Sequence, residues 1–587
     1  MIRGKTASAS IAPLLSFACF ALLFAITLAL AFITLTAALL YLRPTPGFDY
    51  WVAGLPFLQS AIEGPWQWST LWQQHAQAHH LVLSRLLFLA DWYLDDFRGY
   101  GLLAANLLAL AASASLVIYH LWRTPQLNQR SRWLALLLLC MASASSHHLH
   151  NLVFTFNTQW ISGLLLILLS IHAVIKCSQS LTTPTRRLWG LCASVSALLL
   201  AYTTFSLPSL LLCWFLLVYF LRIPLPLAVG VSLLLVMALF GYLLNSTYLA
   251  GFSQGDSSLL AADKILALLQ HLVTYVGLYL GSPLSELSRW QGLLLAAISL
   301  CLVLTVGLPL LKQRLPAADN SLWIMMLVYC AFIISMAAVT ALGRFDINMA
   351  HAPRFRAFVM PFLVFAAIAA LQLASRLKTY PQLAIQALVV SVFLYVLLAG
   401  QGLQLQRYSA EYDEYMPGAV AMASGLSDQE VVHESRFKMY QKENNQQILA
   451  YRDFLLRHQK GIFADPLYRQ IGKPVAWLPG PAPNTPNTLA ALAAGGYRWY
   501  GQGLPCKLQG KLLVINEHQA IGGGFIRRGL PDKSLSNARD MLLSHCDAQQ
   551  GRLWEAYVPP GLDPGQPIRV IAYQDGVPLT IAQTVLP

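Results

Sequence analysis

The chain has 587 residues, of which 56% are apolar and only 11% charged, with a formal net charge of +13. A soluble globular domain carries about 25% Asp, Glu, Lys and Arg, so most of this chain does not meet water. The composition excludes a single soluble domain, a disordered chain and a fibrous repeat, and it argues against a nucleic-acid partner; a multi-pass membrane protein remains.

The first apolar run, residues 11–42, follows Arg3 and Lys5. It is too long for a signal-peptide core, and no convincing small-residue cleavage site follows it. It reads as a permanent helix with its N-terminus in the cytoplasm. The next segment, residues 43–100, is a long loop rich in tryptophan (Trp51, Trp66, Trp68, Trp72, Trp92). Tryptophan favours the membrane–water interface. Pieces such as residues 81–90 are apolar but too short to span, so amphipathic helices on the outer membrane surface are expected here.

Further spanning stretches lie near 101–122, 133–150, 153–175, 188–206, 208–221, 226–247, 291–311, 321–342, 357–375 and 383–402, which with the first makes eleven. The run 265–280 is short and carries Gln270 and His271. Counting it as a span would put Lys312 and Arg314 outside, so the positive-inside rule places it as an interfacial or re-entrant helix on the outer face.

With eleven spans the loops sort by charge. The cytoplasmic set holds 13 basic residues against one acid, Asp319, and the outer set holds 8 basic and 9 acidic residues. The expected topology is N-terminus in and C-terminus out. A division at residue 402 separates two compositions: residues 1–402 hold 21 Lys+Arg and 10 Asp+Glu, and residues 403–587 hold 18 and 16. The first is a transmembrane body and the second an extracytoplasmic domain. In that tail an amphipathic helix is expected at 441–458, then strands at 511–515, 552–558, 568–573 and 579–585, with Asp575-Gly576 as a hairpin turn. The expected tail fold is α+β, or β-rich and sandwich-like. Seven of the nine cysteines lie in the body, and Cys506 and Cys546 form an isolated pair in the tail. In an oxidising compartment such a pair suggests one disulfide.

The sequence contains no P-loop, no GxGxxG in a strand–helix unit, no HExxH, no CxxC pair and no GxSxG. The span centres are almost free of charge, which counts against an ion-coupled transporter. The ionisable residues gather instead on the outer side. Asp49 follows the first span in Gly-Phe-Asp-Tyr-Trp, and His75, His79, His80 and Arg85 follow in QHAQAHHLVLSRL. Asp91, Asp95 and Asp96 precede the second span, and the adjacent pair Asp95-Asp96 suits a helix cap. His147, His148 and His150 end the third span, and Asn157 and Gln159 begin the fourth. Arg344, Asp346, His351, Arg354 and Arg356 follow the ninth in GRFDINMAHAPRFRAF. Carboxylates serve as general bases, histidines as acid/base groups or metal ligands, and arginines as phosphate clamps. No metal set stands out, although a divalent ion fits these residue types.

This pattern resembles the GT-C superfamily of membrane glycosyltransferases. Its members have cytoplasmic N-termini and a long first outer loop with an acidic residue just after the first span. The position of Asp49 matches that acid, and HHLVLSRLLFLADWYL is similar to a segment of bacterial membrane proteins of this general shape. Those proteins often carry an acid beside a His-Arg pair where this chain has Ala78-His79-His80. The resemblance covers residues 1–402 by topology. It implies an inner-membrane enzyme that moves a sugar from a polyprenyl-phosphate carrier to a glycan or lipid acceptor on the outer face. Asp49 would be the base, with His79 or His80 assisting, and Arg85, Arg344, Arg354, Arg356, Asn157 and Gln159 would hold the substrates. The rival reading is a non-enzymatic component that binds, translocates or scaffolds lipid-linked glycans.

Overall fold

A computed structural model describes residues 11–43, 50–73, 80–204, 207–221, 265–313, 320–343, 346–426, 445–475, 486–527 without 494 and 509, 551–587 without 575, and the single positions 223, 232 and 236. The helices, in chain order, are α1 (Ile11–Tyr41), α2 (Leu55–Glu63), α3 (Trp68–Leu71), α4 (Val82–Leu94), α5 (Tyr100–Trp122), α6 (Gln129–Ser143), α7 (Leu149–Val153), α8 (Thr158–Gln179), α9 (Thr183–Ala201), α10 (Leu207–Leu221), α11 (Ile265–Leu280), α12 (Ser282–Ser285), α13 (Arg289–Gln313), α14 (Ser321–Gly343), α15 (Arg356–Ala374), α16 (Thr379–Ala423) and α17 (Asn445–Arg457).

Among the described residues seven helices are long and apolar enough to cross a membrane: α1, α5, α8, α13, α14, α15 and α16. The expected eleven are therefore not reached. Three of the others are helical but shorter or more polar. The run 133–150 becomes α6, which stops at Ser143 because Ser145, Ser146 and the histidines turn the chain into a 3-10 helix. The runs 188–206 and 208–221 correspond to α9, which has Arg186 and Arg187 in its first turns and ends at Ala201, and to the 15-residue α10. The run 226–247 lies outside the described residues. Helix α15 is apolar on every side, and it is buried along nearly its whole length, as an all-round apolar helix must be.

The first long loop does form short helices. Its corner into α5 is held by carboxylates. Asp96 and Phe97 take left-handed backbone (φ 52° and 61°), a turn that brings Asp91 and Asp95 back to the start of α5. Asp91 accepts from the backbone N–H groups of Gly99 (3.2 Å) and Leu102 (3.3 Å), and Asp95 accepts from Tyr100 (2.6 Å) and Gly101 (3.2 Å). These N–H groups have no partner inside the helix, and negative charge is favoured there. Burial nevertheless raises the Asp91 carboxyl to about 7, helped by the nearby Asp95. That value lies above the ordinary 3.8, so the folded chain keeps a proton that the unfolded chain has released. This contribution is fully present below about pH 4 and is lost as pH rises through about 7. We expect the melting temperature of the wild type, relative to that of Asp91→Asn, to fall between pH 5 and pH 8. Parallel pH profiles for the two proteins would refute this.

Helix α16 has 45 residues and passes residue 402 without a break. The change of composition there is a change of surroundings, not the end of an element. The tail then forms one seven-stranded antiparallel sheet in the order β1-β2-β5-β4-β3-β6-β7. The strands are β1 (Asn487–Ala491), β2 (Tyr497–Leu504), β3 (Lys511–Ile515), β4 (Ala520–Ile526), β5 (Arg552–Val558), β6 (Pro567–Gln574) and β7 (Val577–Val585). The tail is therefore β-rich, one half-barrel sheet with α17 beside it, and among the described residues no second sheet packs on it as a sandwich would require. The four expected strands are β3, β5, β6 and β7. One face of the sheet closes a core around Trp499, Trp554, Val514 and Val570. The other helps to build a core shared by the first loop, the end of α16 and α17, including Trp51, Phe88, Trp92, Val420, Phe454 and Phe525. Polar staples reinforce that junction. Lys460 pairs with Asp96 at 2.8 Å, Arg457 pairs with Glu63 at 2.8 Å, and Trp92 stacks on Phe454 with 5.0 Å between ring centroids.

Candidate functional site

One face of α16 carries Gln401, Gln404, Tyr408, Glu411 and Tyr415, spaced three or four residues apart. This spacing aligns them along the helix. Three other elements bring charges to that face: the end of α1 supplies Arg43, the turn after α12 supplies Glu286, and the first residue of α15 is Arg356. The result is a chain of alternating charge. Arg43 pairs with Glu411 at 2.8 Å, Glu411 with Arg407 at 2.9 Å, Arg407 with Glu286 at 3.0 Å, and Glu286 with Arg356 at 2.7 Å. Gln404 donates to Glu286 at 3.1 Å. Burial disfavours the charge on Glu286, but Arg356 and Arg407 outweigh it and hold the carboxyl below its usual range. His351 lies in the same field, and burial keeps its imidazole below the usual value, aided by Arg356, Arg289 and Arg407.

The network leaves buried donors without acceptors. The Arg356 side chain is 0% exposed. Its Nε and Nη1, the Arg43 Nε and the Tyr408 hydroxyl have no hydrogen-bond partner among the described residues. Buried polar groups in native proteins nearly always have one. His150 is half-buried beside them, with its ring centroid 5.7 Å from that of Tyr408. A concentration of unsatisfied guanidinium and hydroxyl donors suits an anion with several acceptor oxygens.

The residues expected from sequence fall into separate groups. Arg354 and Arg356 stand together at the start of α15, with the Arg354 guanidinium 5.2 Å from the Phe355 ring centroid. Asn157 and Gln159 are buried at the start of α8. A hydrogen-bonded path leads from there to Arg354: Thr158 donates to Asn106 (2.6 Å), Asn106 to the Asn151 carbonyl (3.1 Å), and Asn151 to the Arg354 carbonyl (3.2 Å). Trp160 packs edge-on against Phe355 at 5.2 Å.

Arg85 and His80 do something else. The Arg85 Nη1 donates to the carbonyls of Leu71 (2.9 Å), Gln73 (2.5 Å) and His80 (2.9 Å), which clamps the first loop to itself. Burial pulls the Arg85 guanidinium down to about 10. His80 meets the Trp72 carbonyl at 2.5 Å, and burial holds its imidazole below the usual range. His80 and Arg85 are thus brought together within the first loop. Asp49, His79, Arg344 and Cys546 lie outside the described residues. Cys506 is disulfide-bonded.

Sequence reasoning missed Arg43, Glu286, Arg407, Tyr408 and Glu411 as site residues. The signal was the 401–415 periodicity, which the division at residue 402 cut off from the membrane body. Among the described residues no three His, Cys, Asp or Glu side chains converge as a metal would require. No family model matches this sequence, and no curated protein and no solved structure is found to be similar to it.

Proposed function

We propose that the protein is a membrane glycosyltransferase of the GT-C type. It moves a sugar from a polyprenyl-phosphate-linked donor to an envelope glycan or lipid acceptor on the outer face of a bacterial inner membrane. The observation that carries this reading is the fully buried Arg356, whose Nε and Nη1 lack acceptors inside a cluster with Arg43, Arg354 and Arg407. A phosphate supplies those acceptors. In the proposed step the acceptor hydroxyl attacks the anomeric carbon and passes its proton to Asp49. The bond from that carbon to the phosphate oxygen breaks, and the electron pair leaves with the lipid phosphate. Arg354 and Arg356 stabilise the negative charge growing on that oxygen, an interaction stronger in the transition state than before it. Attack opposite the leaving group inverts the anomeric centre.

The second reading, a non-enzymatic glycan-binding or scaffolding component, draws on the staples that fix the sheet to the first loop, Asp96–Lys460 and Glu63–Arg457. Mass spectra of surface glycans and lipid-linked sugars separate the two. A strain lacking the protein is complemented with wild type, Asp49→Asn or Arg356→Gln at matched expression. The transferase reading expects one sugar unit to be missing in the deletion and restored by wild type alone. Full restoration by both variants would sink it in favour of the scaffold.

A further inference from the structure

Glu286 is not used by the step above, yet it is the point on which the guanidinium cluster turns. Its two carboxylate oxygens face different arginines: Oε2 lies 2.7 Å from the Arg356 Nη2, and Oε1 lies 3.0 Å from the Arg407 Nη1. Gln404 donates to Oε2 as a third contact. Two guanidiniums brought to one place repel each other strongly where water is scarce. A carboxylate between them removes that repulsion and fixes both side chains. Glu286 sits on the turn between α12 and α13, Arg356 heads α15 and Arg407 belongs to α16, so one residue ties three helices at this point. Arg356 is held through one terminal nitrogen only, and its Nε and Nη1 remain open.

From this geometry we infer that Glu286 is a positioning residue, which holds Arg356 and Arg407 in place so that Arg356 presents Nε and Nη1 to a phosphate. The inference rests on the anion-binding part of the reading above. It runs against simple charge counting, by which removing a carboxylate beside an anion site strengthens anion binding.

The test measures binding of farnesyl phosphate, with uncharged farnesol as control, to the full chain in lipid nanodiscs. The wild type should prefer farnesyl phosphate. Arg356→Gln should lower that affinity about tenfold, the scale of one charge-assisted contact, and leave farnesol unchanged. Glu286→Gln should also weaken farnesyl phosphate, by roughly three- to tenfold, and Glu286→Asp should recover part of the loss. In an Arg356→Gln background, Glu286→Gln should change little further, because the group it positions is gone. A merely structural role would lower both ligands alike and would persist in that background. Equal or tighter binding of farnesyl phosphate by Glu286→Gln, or undiminished loss in the double variant, overturns the positioning role and leaves the anion site standing. A wild type that does not distinguish farnesyl phosphate from farnesol overturns the anion reading itself.

Discussion

Gly522→Ala is expected to unfold the tail sheet at a markedly lower temperature than wild type. A Cβ at position 522 would lie 2.0 Å from the Tyr557 carbonyl oxygen, which belongs to the backbone of the neighbouring strand β5. A backbone oxygen moves only if the pairing of β4 with β5 moves, including the register of Gly524 with Ala556 and Phe525 with Glu555. Overpacking of this kind costs about 3 kcal/mol or more when the neighbour cannot yield. Gly523→Ala makes the useful comparison. Its Cβ would come within 2.8 Å of the Tyr468 ring, a side chain rather than backbone, though one that is buried and held by its hydroxyl to the Gly524 carbonyl at 2.8 Å. The milder variant should loosen the grip of the sheet on α16, where the Gly523 N–H donates to the Ser424 hydroxyl at 2.8 Å. Thermal unfolding of the purified chain, followed by protease sensitivity of the tail, reads both effects. A Gly522→Ala protein melting within about 2 °C of wild type would rule out the close approach.

Glu411→Gln is expected to be nearly as damaging, for an electrostatic reason. Arg43 and Glu411 are 6% and 11% exposed, and Glu411 also faces Arg407. Removing the carboxylate leaves Arg43 with no carboxylate partner among the described residues, whereas Arg407 keeps Glu286. Breaking a buried pair from one side costs about 3–5 kcal/mol, because the remaining charge stays out of water. The rings of Phe154 and Tyr415, 5.6 and 5.1 Å from the Arg43 guanidinium, give some relief without neutralising it. Removing both partners should therefore cost less than the sum of the single changes. Melting temperatures of Arg43→Met, Glu411→Gln and the double variant close the cycle. A coupling below about 0.5 kcal/mol would show the pair to be as weak as an exposed one.

What was legible in the sequence follows from the range of each signal. Long apolar runs are local, and they marked α1, α5, α8, α13, α14 and α15 within a few residues. Strands β3, β5, β6 and β7 are rich in branched and aromatic residues and were equally plain. Strand β4 was not, because Gly522, Gly523 and Gly524 suggest a loop. They are there for the close approach of β5, Tyr468 and α16, which no local pattern reveals. The span count is not confirmed where length and polarity disagree, as in α6, whose apolar run gives way to the serines and histidines that follow it. The site was half legible. Arg354 and Arg356 stand out in a loop, whereas Glu286, Arg407 and Glu411 acquire meaning only when four distant elements meet. Arg85 was read as a substrate ligand because it stands among outer-side ionisable residues and arginines clamp phosphates. Its partners are carbonyls of its own loop.

The single helix α16 runs from the membrane-like body to the sheet. A helix rises about 1.5 Å per residue, so Ser424, gripped by β4, sits roughly 20 Å along the rod from Glu411. Between them Pro417 withholds one backbone hydrogen bond of the helix, the one interior proline of α16. The same helix therefore carries both the contact with β4 at Ser424 and the ion pairs of Arg407 and Glu411. A change that shifts the seat of Ser424 on β4 is thus made on the element that also holds the guanidinium cluster.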